Sequence, residues 1–371
     1  MMAFSYTLSA YIARRFAAMS LALVAALAGL VALFDFIELL RRAATRPEAT
    51  FGLVASIASL RLPFVVLQIL PFAVLLGGII AFWRLARSSE LVVARAAGVS
   101  AWSFLAGPVL VAACLGTLAI TVVSPLSAAM LARAERLDAT YLRNATGLSS
   151  LAGGRLWLRQ ADATLEPGGV AILAGVPEVN RESGFRLTQV SLWRLSAHDR
   201  PLERVEAPLA RLVPGAWELQ QAVTFGSDRQ PSAPGTLRLP TTLTPDRIED
   251  SFASPDTLSF WALPGFIQVL ESSGFSAMRH RLHFHSLLSL PLLTAAMALM
   301  AAGFSMRHSR RGGVARMIGA GIAAGFALFL LDKVSEEFGQ AGTLPVALAA
   351  WAPSVAGLLL ALTLLIYQED G

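Results

Sequence analysis

The chain has 371 residues, of which 55% are hydrophobic and 15% charged, and its formal net charge is +5. Soluble domains carry about 25% charged residues, so this composition and the mean hydropathy of +0.60 indicate a membrane protein. The pI of 10.1 does not indicate a nucleic-acid binder, because the arginines lie mostly at the ends of apolar segments, where they orient membrane helices.

Six uncharged apolar segments approach the roughly 20 residues that a helix needs to cross a bilayer. The first is predicted to be a retained span, because its apolar stretch is too long for the core of a signal peptide. In the fifth the uncharged core is short, so either Asp332 and Lys333 lie at the membrane interface or the helix extends past Arg316. The predicted spans are residues 16–37, 62–83, 101–124, 284–306, 317–331 and 344–366.

A polar patch stands at the end of the first span. Asp35, Glu38 and Arg42 lie at positions i, i+3 and i+7, so they share one helix face. Arg41 and Arg42 carry guanidinium groups, which pair with phosphate in a bidentate manner. We predict a cleft-facing patch that binds anionic groups, and the alternative is an interfacial anchor with internal ion pairs. The rim patch comprises Asp35, Glu38, Arg41 and Arg42.

A short helix is predicted between the second and third spans, at about residues 86–98, and is named the coupling segment. Ser88 or Ser89 can cap it, Glu90 suits its first turn and Gly98 can end it. Its apolar side chains have little to bury against in so short a loop, so a partner protein or the bilayer surface must cover them. The candidate contact residues are Arg87, Glu90, Leu91, Val92, Val93 and Arg95.

The distribution of basic residues predicts the orientation of the spans. With the N-terminus inside, nine arginines lie in the short cytoplasmic segments, and five basic residues lie in the short outer loops. This asymmetry favours cytoplasmic termini and places the long segment between spans three and four outside the cytoplasm. The inner set is Arg14, Arg15, Arg84, Arg87, Arg95, Arg307, Arg310, Arg311 and Arg316, and the outer set is Arg41, Arg42, Arg46, Arg61 and Lys333.

That long segment begins with a helical extension of the third span and then changes to short alternating runs. The runs are separated by Pro- and Gly-containing turns, a pattern typical of an all-β sandwich, a jelly roll or an open barrel. A second helical stretch, 259–272, leads back to the membrane. The runs are residues 156–158, 170–173, 189–195, 217–219 and 237–239.

Several catalytic motifs are missing from the sequence. The only lysine, Lys333, follows an aspartate, so no P-loop is present, and there is neither an HExxH motif nor a cysteine pair. We therefore predict no metal site, no cofactor and no catalytic residue. The glycines at 321 and 325 lie in an apolar span and favour close helix packing. His280, His283 and His285, near the start of the fourth span, are interpreted as interfacial side chains.

These segments resemble the lipopolysaccharide-export permeases of the LptF/LptG type, and more closely the G-type subunit. The resemblance is carried by residues 34–43, by 85–100 with its Arg-Ser-Ser-Glu-Leu-Val-Val core, by 243–247, and less specifically by Leu-Leu-Asp-Lys at 330–333. It covers nearly the whole chain. It implies an α+β membrane protein with six transmembrane helices and a periplasmic β-jelly-roll domain inserted between helices three and four.

The resemblance also implies a domain division and a mechanism. Residues 1–142 would hold helices 1–3 and the coupling helix, 143–258 the jelly roll, and 259–371 a connecting helix and helices 4–6. The chain would be the permease subunit of an ABC transporter in outer-membrane biogenesis, extracting lipopolysaccharide from the inner membrane for a periplasmic bridge. Its partners would be an LptB-like ATPase dimer, an LptF-like permease, and LptC-like and LptA-like bridge proteins, without nucleic acid.

Individual residues take implied roles as well. Glu90 and its neighbours would dock into the ATPase, and Arg41 and Arg42 would match a basic pair near the lipid-entry cavity. Some relatives carry a basic residue near Asp35, so an acid there favours a divalent-cation bridge or a pair with Arg42 over direct phosphate contact. Inward-facing residues of the β domain would shield acyl chains, although they equally suit an ordinary core. These are Leu156, Leu158, Ile172, Val190, Leu192 and Leu219.

Two other functions remain open from the residues alone. An intramembrane lipid-processing enzyme would use His280, His283, Asp332 or Glu336, although these are scattered along the chain. A membrane scaffold that transports nothing is the other alternative.

Overall fold

The computed structural model forms two compact units, each described here by itself. The membrane unit comprises Met1–Asp138, Asp256–Leu263 and Met278–Gly371, and the β unit comprises Ala139–Pro255 and Pro264–Ala277. The prediction grouped 259–371 together, whereas residues 264–277 belong to the β unit. The described residues are 2–44, 49–88, 90, 100–143, 148–152, 155–162, 164–165, 169–180, 184–196, 200–226, 230–241, 243, 254–272, 276–305 and 314–369.

Six long apolar helices of the described chain meet the length and hydropathy required of membrane spans, which confirms the six predicted spans. The third span begins in α3 and continues through a π-helical turn, Ala119–Val123, into α4 and a second turn, Ala139–Arg143. The helices are α1 (Met2–Ala43), α2 (Phe51–Arg87), α3 (Ala101–Leu118), α4 (Ser124–Asp138), α5 (Leu263–Ser272), α6 (Met278–Ser305), α7 (Val314–Gln340) and α8 (Val346–Glu369).

The fifth span is longer than its uncharged core. Helix α7 continues through Asp332 and Lys333 to Gln340, so both charged residues lie within the helix. Lys333 donates a hydrogen bond to Glu336 one turn later, with 2.7 Å between Nζ and Oε2. This i,i+3 pair satisfies two of the charges close to the end of the helix.

Helix α6 lies at the centre of the membrane unit. Of its most apolar window, 72% is buried by protein, whereas the corresponding windows of α1 and α7 are 22% buried. Two glycines let α7 approach α2: a Cβ at Gly321 would lie 2.3 Å from Ile79 Cδ1, and one at Gly325 would lie 2.5 Å from Leu75 Cδ2. The predicted role of these glycines in helix packing is confirmed.

The β unit contains a seven-stranded antiparallel sheet in the order β1-β2-β3-β4-β5-β6-β7. Each strand pairs with its neighbour in sequence. The predicted β-rich domain is confirmed, and in the described part of the chain its sheet is a meander in which short connections pair consecutive strands. The strands are β1 (Leu148–Ala152), β2 (Arg155–Ala161), β3 (Val170–Asn180), β4 (Gly184–Leu195), β5 (Pro201–Val213), β6 (Ala216–Phe225) and β7 (Gly235–Pro240).

One face of this sheet is apolar and is covered by α5. Leu270 of α5 is 1% exposed within the same cluster as the strand residues, and Phe266 and Ile267 pack against that cluster. A short amphipathic helix therefore closes the interior of the β unit, with its apolar face directed into the core.

Candidate functional site

The rim patch on α1 is organised by one carboxylate. Glu38 accepts hydrogen bonds from Arg41 at Nε and Nη2, both at 2.8 Å, and from Arg42 Nε at 2.9 Å. The Arg41 side chain is 75% exposed and that of Arg42 is 46% exposed. Three of the four predicted rim residues therefore form one exposed, charge-assisted cluster, and an external anion that approached it would compete with Glu38.

Asp35 belongs to a different ion cluster. Its Oδ1 accepts a hydrogen bond from Arg61 Nη1 of α2 at 3.0 Å. The suggested pairing of Asp35 with Arg42 stays a prediction; Arg42 donates to Glu38, one turn away. Arg61 Nη2 also lies 3.5 Å from Asp138 Oδ2 of α4, whose side chain is 1% exposed.

Sequence reasoning missed Arg61 and Asp138 as site residues. Arg61 was assigned to an outer loop, whereas it lies within α2 with its side chain 18% exposed. A charged residue between apolar helical segments is itself a signal of a pairing partner. The partners could not be identified because Asp35 and Asp138 are far from Arg61 in sequence. The resulting cluster joins α1, α2 and α4.

Part of the coupling segment is described. Glu90 Oε1 lies 3.6 Å from Arg15 of α1 and accepts a hydrogen bond of 2.9 Å from Ser88 Oγ. The Arg87 guanidinium lies over the Trp83 ring, 5.6 Å from its centroid. These contacts link the start of the segment to α1 and α2. The other predicted contact residues, Leu91, Val92, Val93 and Arg95, lie outside the described residues.

The interior of the β unit brings together five of the six residues predicted to face it. All five belong to one buried cluster and are at most 2% exposed; they are Leu156, Leu158, Val190, Leu192 and Leu219. Ile172 is the exception. It pairs with Arg159 and Trp193, on the face opposite the core, while Ala171 and Leu173 point inward. The prediction for Ile172 is wrong because the run Val-Ala-Ile-Leu is uniformly apolar and gives no parity signal.

The histidines near the start of α6 have protein partners. His283 Nδ1 lies 3.4 Å from Asp256 Oδ1, an acidic neighbour that was not apparent in the sequence. His280 is 6% exposed, so protein covers this side chain, and its interfacial position stays a prediction. Within the described part of the chain, no group of three or more His, Cys, Asp or Glu side chains could hold a metal ion.

Comparison with known proteins agrees with this architecture. The sequence model of the family "Lipopolysaccharide export system permease LptF/LptG" matches residues 10–367. The chain is 26% identical over 368 residues to the lipopolysaccharide export system permease protein LptG of Escherichia coli K12, covering 95% of this chain and 94% of that protein. The LptG protein of Escherichia coli O6:H1 (strain CFT073) matches with the same identity and coverage. The chain therefore belongs to the LptF/LptG family of lipopolysaccharide export permeases.

Proposed function

We propose that this chain is the transmembrane permease subunit of an ABC transporter that extracts lipopolysaccharide from the inner membrane and passes it to a periplasmic bridge. The observation that carries the proposal is the family match over residues 10–367, which includes both the helices and the β unit. ATP hydrolysis is assigned to a separate LptB-like ATPase dimer, because the sequence has no P-loop. An LptF-like permease and LptC-like and LptA-like bridge proteins complete the proposed assembly.

The proposed topology has both termini in the cytoplasm and the β unit in the periplasm. It is supported by the excess of arginines in the segments assigned to the inside. In this orientation the rim patch lies at the periplasmic end of α1. The coupling segment then lies at the cytoplasmic end of α2, where the ATPase would dock.

The rim patch is proposed to take the phosphates of the lipid. Arg41 and Arg42 are exposed and are bound to a carboxylate that belongs to the same helix. Phosphate and carboxylate are both acceptors for a guanidinium fork, so an arriving phosphate can replace Glu38 without leaving a buried charge unpaired. Asp35 is assigned a structural role, because Arg61 already engages it.

The coupling segment is proposed to transmit movement of the ATPase to α1. The contact between Glu90 and Arg15 joins the start of this segment to the first helix. A shift of the segment would therefore act on the helix that carries the rim patch. Leu91, Val92, Val93 and Arg95 are retained as proposed ATPase contacts.

The interior of the β unit is proposed as the path for acyl chains, and it must open to serve this purpose. Its lining residues are at most 2% exposed, and α5 occupies the apolar face of the sheet. An acyl chain and the apolar side of α5 offer the same chemistry to that face. Lipid passage therefore requires the acyl chain to displace α5 from the sheet, so that one apolar surface replaces another.

The function is tested by photocrosslinking lipopolysaccharide to α1 in the nucleotide-free complex with the ATPase and the homologous permease. Reversing both Arg41 and Arg42 to Glu is expected to weaken crosslinking, because it removes the phosphate partners. Glu38→Gln is expected to strengthen it, because it removes the competing carboxylate. Arg84→Glu, at the opposite end of the spans, is the control. Crosslinking that is equal in all four proteins would contradict the proposed role of the rim patch.

A further inference from the structure

In three neighbouring strands of the sheet, the alternation of inward and outward side chains is interrupted at positions that lie opposite one another. Thr188 pairs with Leu209 and Val190 with Ala207, so Gln189 of β4 stands opposite Pro208 of β5. The pairs Glu206–Val223 and Leu209–Gln220 likewise place Pro208 opposite Gln221 of β6. We name Gln189, Pro208 and Gln221 the Gln-Pro-Gln row. All three are exposed.

The row interrupts the alternation of every strand that it crosses. The inward residues on either side of it are Leu187 and Val190 in β4, Ala207 and Ala210 in β5, and Leu219 and Ala222 in β6. Each pair is three positions apart rather than two. The extra residue turns to the outer face, and the apolar core continues unbroken beneath it.

The backbone of the row is strained at both glutamines. Gln189 has φ of 51° and Gln221 has φ of 52°, and they are the non-glycine residues of positive φ among those described. Glycine adopts this conformation without cost and asparagine more readily than glutamine. Strained residues cluster where a side chain is required for binding. Here the strained residues present two carboxamides, those of Gln189 and Gln221, on the same outer face of the sheet.

The row borders an open cleft of about 580 Å³ on that face. Arg155 reaches it from β2 and donates through Nη2 to the backbone oxygen of Gln189 at 2.9 Å. Its Nε is buried and has no hydrogen-bond partner among the described residues. Ser191 and Glu206 contribute a hydroxyl and a carboxylate to the lining. The cleft therefore contains hydrogen-bond donors and acceptors as well as positively and negatively charged groups.

An aromatic surface continues the cleft along the strands. Phe225 lines the cleft itself. Arg204, which is paired with Glu206, also lies over the Trp193 ring, 5.7 Å from its centroid. Trp193 stacks on Trp157 with 5.5 Å between the ring centroids and an interplanar angle of 8°. Planar polar groups beside aromatic rings suit a ligand with many hydroxyls on one side and C–H groups on the other.

This chemistry favours a saccharide over the other ligand classes. A polyanion would meet the Glu206 carboxylate, and an added β-strand would need the edge of the sheet, whereas the cleft lies over the central strands β4, β5 and β6. A hydrocarbon chain would leave the carboxamides and guanidiniums without partners. Sugar hydroxyls can both donate to Glu206 and accept from the glutamines.

We propose that the cleft beside the Gln-Pro-Gln row binds the oligosaccharide of the transported lipopolysaccharide, outside the β unit whose interior takes the acyl chains. This proposal rests on the proposed function for the identity of the glycolipid. The two faces of the sheet thereby hold the two halves of one amphipathic cargo. Gln189 and Gln221 determine the specificity for the sugar.

The test uses the purified full-length chain in detergent and lipid-free oligosaccharide released from lipopolysaccharide by mild acid. Binding is measured by saturation-transfer NMR and calorimetric titration. The double variant Gln189→Gly/Gln221→Gly relieves the positive-φ strain and removes both carboxamides. We expect its affinity to fall roughly tenfold or more, since two hydrogen-bonding groups are lost, while its thermal stability stays equal or rises. Gln220→Ala, on the same strand but outside the cleft lining, is expected to bind normally.

Three outcomes would overturn the proposal. They are no saturable binding by the unmodified chain, an affinity of the double variant equal to that of the unmodified chain, or an affinity for maltoheptaose equal to that for the oligosaccharide. The last would show that the cleft does not distinguish lipopolysaccharide sugar from another saccharide. Crosslinking of lipopolysaccharide to α1 separates this test from the proposed function. Crosslinking without oligosaccharide binding rejects the saccharide cleft alone. Absence of crosslinking in the unmodified complex rejects the proposed function itself.

Discussion

The stability of the β unit depends on the ion pair that neutralises a buried carboxylate, and loss of that pair should measurably destabilise the unit. Arg194 donates to Asp162 Oδ2 from Nε at 2.7 Å and also binds Glu203 and Thr164. The Asp162 side chain is fully buried and that of Arg194 is 15% exposed. Burial disfavours the Asp162 carboxylate, but hydrogen bonds from Arg194 and Thr164 outweigh it and hold the pKa of Asp162 below its usual value.

Arg194→Gln should destabilise the β unit by about 3–5 kcal/mol at neutral pH, because it leaves a buried charge without its cation. Local opening should then accelerate hydrogen exchange in β4 and β5 at least about 100-fold, at roughly 1.4 kcal/mol per tenfold. The assay is hydrogen–deuterium exchange with mass spectrometry on the full chain. Arg238→Gln is the control. Arg238 is 71% exposed in its pair with Glu218, and such surface pairs contribute about 0–1 kcal/mol.

The loss of unfolding free energy caused by Arg194→Gln should depend on pH in a definite direction. A lowered pKa in the folded state stabilises the fold above the unfolded value of about 3.9, and the contribution is lost as pH falls through the folded pKa. Without Arg194, burial instead raises the pKa of Asp162. The difference in unfolding free energy between the variant and the unmodified chain should therefore be greatest near pH 7. It should narrow as the pH falls from the raised pKa of the variant through the lowered pKa of the unmodified chain. A difference that stays constant between pH 7 and pH 3, or that Arg238→Gln reproduces, would refute the reasoning.

Three further predictions concern packing and opening. Gly325→Leu should weaken the contact of α7 with α2, because a Cβ there meets Leu75, whereas Gly319→Leu, with no atom within 4 Å, should leave thermal stability nearly unchanged. Arg61→Gln should lower thermal stability by several degrees and Arg41→Gln by less than about one, since the first breaks a largely buried pair and the second an exposed one. During ATP turnover with lipopolysaccharide, α5 should exchange its amide hydrogens faster than in the nucleotide-free complex, and unchanged exchange would count against its displacement by acyl chains.

The helical part of the fold could be predicted because hydrocarbon imposes a length on uncharged segments. All six spans follow from that rule, although the helices extend beyond the apolar segments, as α2 does in starting at Phe51. Helical hydrogen bonding continues through charged residues once they reach the interface, so hydropathy does not mark the ends of a helix. The tertiary pair of Asp35 and Arg61, 26 positions apart, has no periodic signature.

The strands were less predictable for an identifiable reason. Residues 156–158, 170–173, 189–195, 217–219 and 237–239 all fall in strands. The short β1 and β5, the longest of the described strands, were not predicted. The inward residues of β5, Val205, Ala207 and Ala210, change parity at Pro208. A proline lacks the N–H group for the ladder and is typical of strand breaks, so this segment shows no continuous strand pattern. The same parity change turns Gln189, Pro208 and Gln221 to the outer face of the sheet.

The two arginine clusters near the end of α1 differ in what they can exchange. Arg61 holds Asp138, whose side chain is 1% exposed, so removing this partner strands a charge in a nonpolar environment and costs several kcal/mol. Arg41 and Arg42 hold an exposed Glu38, and such pairs are exchanged for other anions at a cost of about 1 kcal/mol or less. In the proposed function, a phosphate that approached α1 would therefore bind Arg41 and Arg42 rather than Arg61, even though all three side chains carry the same charge. The difference in burial therefore assigns Arg61 to holding the helices together, and Arg41 and Arg42 to exchanging Glu38 for another anion.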